Sequence, residues 1–418
     1  MTAPPTTMET ARRGATTASP PATDRPRRQN AAHEAPAAAR PTRQDSAHEA
    51  SAAPRPTPQG TAHEALRTAR PGEPQALAAD ALAVGVDDVP QVLERCRALV
   101  RPALEEAVGR LHPWVGEMAA YSFGWCEVGG APAVASGGKG VRQALAVLGA
   151  EAAGAPERAG VAAAVAVELV HTFSLLHDDI MDGDGDRRGR PTAWKAYGTG
   201  PAVLAGDALF ALAVETLAGE PGGAGAVRTL SVALGDLVRG QADDLLFADR
   251  PWTGPERVRP DEYRAMAEHK TGALLGCAAA LGAVLGGAGP ETVAALDRAG
   301  RHLGVAFQIV DDVLGIWGDP RVTGKPVHGD LREGKKTFPV LVALGSPMGG
   351  RIAGLLESGD APETAATLIE EAGGRSAALA EARRHITAVE TALADVPSAA
   401  RAAGELRSLL GYLVRRDV

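Results

Sequence analysis

Several residue types are scarce in this chain, and each scarcity excludes something. Of 418 residues only three are cysteine: Cys96, Cys126 and Cys277, widely spaced and without a C-x-x-C pair. No disulfide framework is expected, and a reducing, cytoplasmic setting is the default. Arg12 and Arg13 near the start are followed by no apolar stretch, so no secretory signal is read. The longest charge-free run, Gly272 to Gly289, spans 18 residues but is mostly Gly and Ala. It is too weakly apolar for a membrane span and reads as a tightly packed core helix. Runs alternating with a period of two are missing, which argues against a β architecture. Lysine is rarest of the charged residues, with six among 43 Lys plus Arg.

Charge is divided unevenly. Residues 1–70 carry ten arginines against six acids, a net of +4, so the chain's −8 leaves −12 for the remainder. An acidic body argues against a nucleic-acid partner. The first 85 residues are built from Ala, Pro, Thr, Arg and Gln and lack the apolar surface to offset ordering entropy. They contain a repeat of period 15, marked by His33, His48 and His63 within A-H-E-A motifs. None of these histidines has a second His or Cys nearby, so metal binding is not expected of them. The segment reads as a disordered tail. It is either inert or a multivalent address whose three copies engage a repeated partner such as a scaffold or protein shell.

From residue 90 onward the pattern is helical, with breaks at Gly129–Gly138, Gly183–Pro191, Glu220–Gly225, Arg250–Pro260, Gly286–Pro290 and Gly318–Gly334. About ten to thirteen helices in one all-α domain, residues 90–418, are expected to pack as a bundle around a central cleft.

The chemistry concentrates in two of these helices. In the first, E-L-V-H-T-F-S-L-L-H-D-D-I-M-D, residues His171, Leu175, Asp178 and Asp182 follow at steps of four, three and four and share one face. Asp179 lies one position round. Taken alone, the carboxylates could be a solvated helix end with surface ion pairs. A second apolar helix repeats the arrangement: Leu296, Gly300, Leu303, Phe307, Val310 and Leu314 form its buried stripe, and Gln308, Asp311 and Asp312 are set into it. Adjacent carboxylates in an apolar helix are costly without a cation. Mg²⁺ takes one or two protein carboxylates and completes its shell with water and phosphate oxygens. Arg187 and Arg188 follow the first motif and offer forks suited to phosphate. Five of the six lysines (Lys139, Lys270, Lys325, Lys335, Lys336) fall in the same motif-bearing stretches.

Over roughly residues 95–418 the chain resembles the trans-isoprenyl diphosphate synthase (polyprenyl synthetase) family, most closely its short-chain geranylgeranyl diphosphate synthases. The resemblance rests on six motifs in one order: G-G-K-G-V-R at 137–142, H-D-D-I-M-D with R-R-G-R-P-T, G-Q-A-D-D-L at 240–245, H-K-T-G at 269–272, F-Q-I-V-D-D at 307–312, and G-K-P-V-H-G-D-L-R-E-G-K-K-T at 324–337. It implies an isoprenoid-synthase helical bundle. It also implies a prenyltransferase that ionises an allylic diphosphate (dimethylallyl, geranyl or farnesyl) and joins it to isopentenyl diphosphate. Roughly three Mg²⁺ ions per site, or Mn²⁺, would neutralise the departing diphosphate. By resemblance Asp178, Asp182 and Asp311 bind metal, with Asp179 and Asp312 in support. Arg187, Lys270 and Lys325 grip the allylic diphosphate, while Lys139, Arg142, His171 and Arg188 hold isopentenyl diphosphate. Thr271 and Gln308 line the reacting carbons. Gln241 and Lys335 join the substrate-binding set, although Gln241 and Asp244 could equally cap or bridge helices. Relatives are commonly homodimers.

Two positions depart from the family pattern. Gly315 stands where many members have a third aspartate, and Gly140 replaces a cation in the first lysine motif. Phe173, five residues before Asp178 and about 7.5 Å down the helix, with Ser174 beside it, is placed to set product length. An aromatic there without an insertion in D-D-I-M-D resembles synthases of geranylgeranyl diphosphate, with farnesyl diphosphate the alternative product. A class I terpene cyclase would show an N-D-x-x-S-x-x-x-E motif, which is not found. A non-catalytic subunit would be expected to have lost the first aspartate motif, which is intact.

Overall fold

The computed structural model describes residues 89–133, 140–320, 327–396 and 400–414. The tail with its repeats, and the motif lysines Lys139 and Lys325, lie outside the described residues.

Helices account for nearly everything described. In chain order they are α1 (Val89–Gly109), α2 (Pro113–Ser122), α3 (Val141–Ala152), α4 (Val161–Asp182), α5 (Ala193–Tyr197), α6 (Thr199–Ala218), α7 (Gly223–Ala248), α8 (Pro260–Ala267), α9 (Ala273–Leu285), α10 (Pro290–Trp317), α11 (Gly329–Arg332), α12 (Phe338–Ala343), α13 (Gly349–Ser358), α14 (Pro362–Glu371), α15 (Gly374–Ala394) and α16 (Ala400–Val414). The all-α expectation holds. The number exceeds the expected ten to thirteen because α5, α11 and α12, with 5, 4 and 6 residues, are too short to show a 3.6-residue period. Helix boundaries follow the breaks read from sequence, and Pro260 and Pro290 open α8 and α10 at the position where proline's missing N–H costs nothing.

Two local features escaped the sequence. After α4, Asp186–Arg187 and Arg190–Pro191 form a two-stranded antiparallel hairpin. Its turn places Arg188 (φ 58°) and Gly189 (φ 74°) in the left-handed region, as a two-residue turn of this hand requires. Between α8 and α9, residues Glu268–Gly272 form one π-helical turn. Such single turns recur at functional sites, and this one carries His269, Lys270 and Thr271.

The core has two parts. One is built from α1, α3, α4, α6, α9 and the first half of α10. The other joins the second half of α10 to α8, α12, α13, α14 and α15. At the centre lies α9, whose residues Ala273 to Ala283 are all buried, as expected of the Gly/Ala run. It packs against α3, α4 and α10. The small residues allow backbones to meet: a Cβ at Gly282 would fall on the Ala146 carbonyl of α3, and one at Gly304 on the Gly272 Cα. Arg95 ties the periphery, pairing with Glu151 (3.2 Å), Glu157 (2.7 Å) and Glu405 of α16 (2.5 Å).

By length and composition two helical stretches could cross a membrane, Glu157–Asp182 and Thr199–Ala218. The first is a core helix with 61% of its apolar window buried; α6 has only 39% buried. Its outward residues Val203, Leu204 and Phe210 are exposed, as are Val232, Val238, Leu245 and Leu246 of α7.

Candidate active site

The C-terminal end of α4 delivers three carboxylates in different surroundings. Asp178 is half-buried, and burial raises its pKa to about 6, with Lys270 pulling it down and Asp182 pushing it up. Asp182 is raised too, by partial burial first, then by Asp244 and Asp184 against Lys270. Asp179 turns inward. Its Oδ1 accepts from Arg187 Nε at 2.7 Å and stands 2.6 Å from Arg187 Nη2. Gly183 (φ 73°) then ends the helix in a left-handed cap, and the hairpin folds Arg187 back onto the helix that precedes it.

Opposite these groups, the π turn aims Lys270 at Asp244 of α7, Nζ to Oδ2 2.5 Å. Helix α7 approaches closely enough that a Cβ at Gly240 would fall on the Lys270 backbone nitrogen. Asp244 thus bridges helices, and it does so through a candidate catalytic lysine. Thr271 Oγ1 donates to Gln308 Oε1 (3.0 Å), and Gln308 Nε2 to Asp312 Oδ1 (3.4 Å).

Asp311 and Asp312 diverge, as neighbours on a helix must. Asp311 is exposed. Asp312 is buried, its Oδ2 accepting from the Tyr263 hydroxyl (2.5 Å) and the Phe338 N–H (2.8 Å), and burial pushes its pKa up to about 8. Asp312, to which the resemblance assigns a supporting part at the metal, fastens α10 to α8 and α12 through its carboxyl. Gly315 has a local explanation. A Cβ there would fall on the carboxylate of Asp330, which is buried and 3.7 Å from Lys335 Nζ. The absent third aspartate leaves room that Asp330, from α11, fills.

One lysine relates the two acidic motifs. Lys335 lowers the pKa of Asp182 from the first motif while standing beside Asp330, which abuts Gly315 of the second. Among the described residues no group of three or more His, Cys, Asp or Glu is close enough to form a metal cage. Mg²⁺ needs one or two protein carboxylates and takes the rest of its shell from water and phosphate. The mutually repelling pair Asp178 and Asp182 could hold such an ion.

A second cationic cluster lies at the α3–α4 contact. Arg142 Nη1 is 3.2 Å from His171 Nε2, and Arg142 Nε is buried without a hydrogen-bond partner. Burial holds the His171 imidazole neutral, and Arg142, Arg188 and Arg187 add to the effect. The half-buried Glu168 offsets Arg142. So many guanidiniums about one neutral imidazole are suited to an anion. Gly140, before α3, adopts φ 71°.

The remaining predicted residues fall as follows. Gln241 is buried with both amide atoms unpartnered, and Thr337 Oγ1 and His269 Nδ1 are likewise unpartnered. Lys335 pairs with Glu333 (2.6 Å), and Lys336 lies over the Trp252 ring at 3.3 Å. Phe173 packs against His177 and Phe210, while the Ser174 hydroxyl donates to the His171 carbonyl (2.9 Å). Sequence reasoning missed Asp330, Tyr263 and Glu168. Asp330 and Glu168 were within reach, as acids inside stretches already singled out; Tyr263 carries no local signal.

Comparison with known proteins gives a consistent result. Residues 130–370 match the family described as Polyprenyl synthetase. A (2E,6E)-farnesyl diphosphate synthase of Mycobacterium tuberculosis is 44% identical over 338 residues, covering 78% of this chain and 93% of the relative. A geranylgeranyl diphosphate synthase of the same organism is 43% identical over 336 residues with the same coverage. Among solved structures, a polyprenyl synthetase from Streptomyces coelicolor superposes with a TM-score of 0.74 at 46% identity, over 78% of this chain and 100% of its own.

Proposed function

The chain belongs to the polyprenyl synthetase family, and on that premise we propose that it is a Mg²⁺-dependent trans-prenyltransferase condensing isopentenyl diphosphate with an allylic diphosphate. The supporting observation is that Lys335 stands 3.7 Å from Asp330, which abuts Gly315 of the second acidic motif, while it also acts on Asp182 of the first, whose neighbour Asp178 feels Lys270 and Arg187. Asp178, Asp182 and Asp311 are the metal-binding residues in this reading. Bound Mg²⁺ (Mn²⁺ as a substitute) would neutralise charge on the leaving diphosphate, the largest electrostatic demand of the reaction.

The protein's own groups do the rest. Lys270, Arg187 and Lys325 hold the allylic diphosphate, and leaving Asp244 and Asp179 for it gives Lys270 and Arg187 new charge-assisted bonds. Arg142, His171, Arg188 and Lys139 hold isopentenyl diphosphate, with Gln241 and Lys335 at the margin. The neutral His171 can donate a hydrogen bond to phosphate without adding charge. Thr271 and Gln308, joined to each other, present dipoles to the developing carbocation rather than a base that would trap it.

Phe173, an aromatic five residues before Asp178, supports geranylgeranyl diphosphate as product. Farnesyl diphosphate is the second reading, favoured by the 44% identity to a farnesyl diphosphate synthase. The exposed apolar residues of α6 and α7 support a homodimer. The cysteine usage supports cytoplasmic action, and the tail repeats, unless inert, would dock to a scaffold or shell.

Labelled isopentenyl diphosphate, offered with dimethylallyl, geranyl or farnesyl diphosphate, tests the assignment. Elongated product that disappears with chelator and returns with Mg²⁺ is expected. Turnover indifferent to chelation, or no product with any primer, would sink it.

A further inference from the structure

Helices α4 and α6 run antiparallel with matched steps of four: His177 meets Gly206, and Phe173 meets Phe210. The Phe173 and Phe210 rings lie 5.7 Å apart at 40°. On the side toward Asp178 the His177 imidazole stands edge-on to Phe173 at 4.8 Å and 69°. That imidazole is itself fixed. It lies 3.3 Å from the Val203 carbonyl, in a space that exists only because residue 206 has no Cβ. One helical turn deeper, Leu169 and Ala213 are fully buried. The Phe173 ring is thus enclosed by its own helix and by buried core, and α6 backs it with one large side chain. Phe210 is 39% exposed, on the apolar face of α6 that the proposed homodimer would cover.

We propose that Phe210 is a second determinant of product length, a positioning residue on α6 that keeps the Phe173 ring across the prenyl cavity. This rests on the reading given above that Phe173 sets product length, taken here as the floor of the cavity for the growing chain. A ring held only by χ1 and χ2 has rotamers that swing it aside. Contact with a second ring from another helix disfavours those rotamers, and truncating Phe210 removes the obstacle while Phe173 itself stays. Product length then depends on two helices rather than on the residue count before Asp178.

The test compares the parent enzyme with F173A, F210A, F210L and F210Y, using farnesyl diphosphate, labelled isopentenyl diphosphate and chromatography of the hydrolysed products. In F210A the ratio of longer to parental product is expected to rise several-fold, up to about tenfold, the range set by the energy of one aromatic pair. F210L should shift less in the same direction, and F210Y should keep the parental product. A generally loosened enzyme would lose turnover without lengthening its product. If F173A lengthens the product while F210A and F210L do not, the inference is wrong and the floor reading stands. Should F210A fail to fold, an unchanged distribution in F210L overturns the inference alone. If the parent makes prenyl product but F173A leaves its length unchanged, the floor reading falls and takes this inference with it. No prenyl product from the parent rejects the function itself.

Discussion

Asp311 and Asp312 are identical in type and adjacent in sequence, yet the structure gives them separate work. Asp312 is buried and accepts from Tyr263 and Phe338, so Asp312→Asn leaves a buried group mismatched and should lower stability by about 1–3 kcal/mol while the folded enzyme still turns over. Asp311→Asn should do the reverse, leaving the melting temperature in place and lowering kcat by about 10²–10³-fold. Thermal unfolding and steady-state kinetics on the two variants check both halves. Asp178 carries a pH signature. Burial raises it from 3.8 to about 6. Between those values the folded protein retains a proton that the unfolded chain has released. The stability it contributes is complete below about pH 4 and lost as pH rises through about 6. Metal binding needs the ionised carboxylate, so the half-saturating Mg²⁺ concentration should fall between pH 5 and pH 7 and then level off, with proton release measurable by calorimetry.

At the scale of elements, α4 and α10 were legible because each combines a 3.6-residue apolar stripe with a polar set on one face. The core position of α9 was legible from composition alone. What stayed hidden was short or depended on distant partners. The 186–191 hairpin has two residues per strand, too few to show a period. The π turn at Glu268–Gly272 adds one residue to a single turn and leaves no sequence trace. Acidic and basic motifs could be paired by family likeness, but not the choice of Arg187 for Asp179 or Lys270 for Asp244, which spacing cannot specify. Gly315 read as a loss until Asp330 was seen against it. Close packing of α9 makes its own prediction: Gly282→Val forces α3 away at the Ala146 carbonyl and should destabilise by at least about 1–3 kcal/mol, seen as a lower denaturation midpoint.

For the whole molecule, the matched region covers the Streptomyces coelicolor structure from end to end while using 78% of this chain. By composition, residues 1–85 stand apart from the domain expected at 90–418. A chain beginning near residue 86 is expected to keep kcat and KM within about twofold of the full chain, a change inside ordinary surface effects. A tenfold loss would show that the repeats contribute to turnover.

The resting pairs Arg187–Asp179 and Lys270–Asp244 have one more consequence. Neither cation is idle before substrate arrives; each is already courted by an internal carboxylate. In the proposed reaction a diphosphate that wins them would leave the Asp179 and Asp244 carboxylates without their cations, and a divalent ion arriving with it would repair that imbalance. Substrate and metal should therefore bind as collaborators, each weak alone and tight together, with the same factor of enhancement whichever is added first. Equal affinities with and without the other ligand would show that the two arrivals are independent.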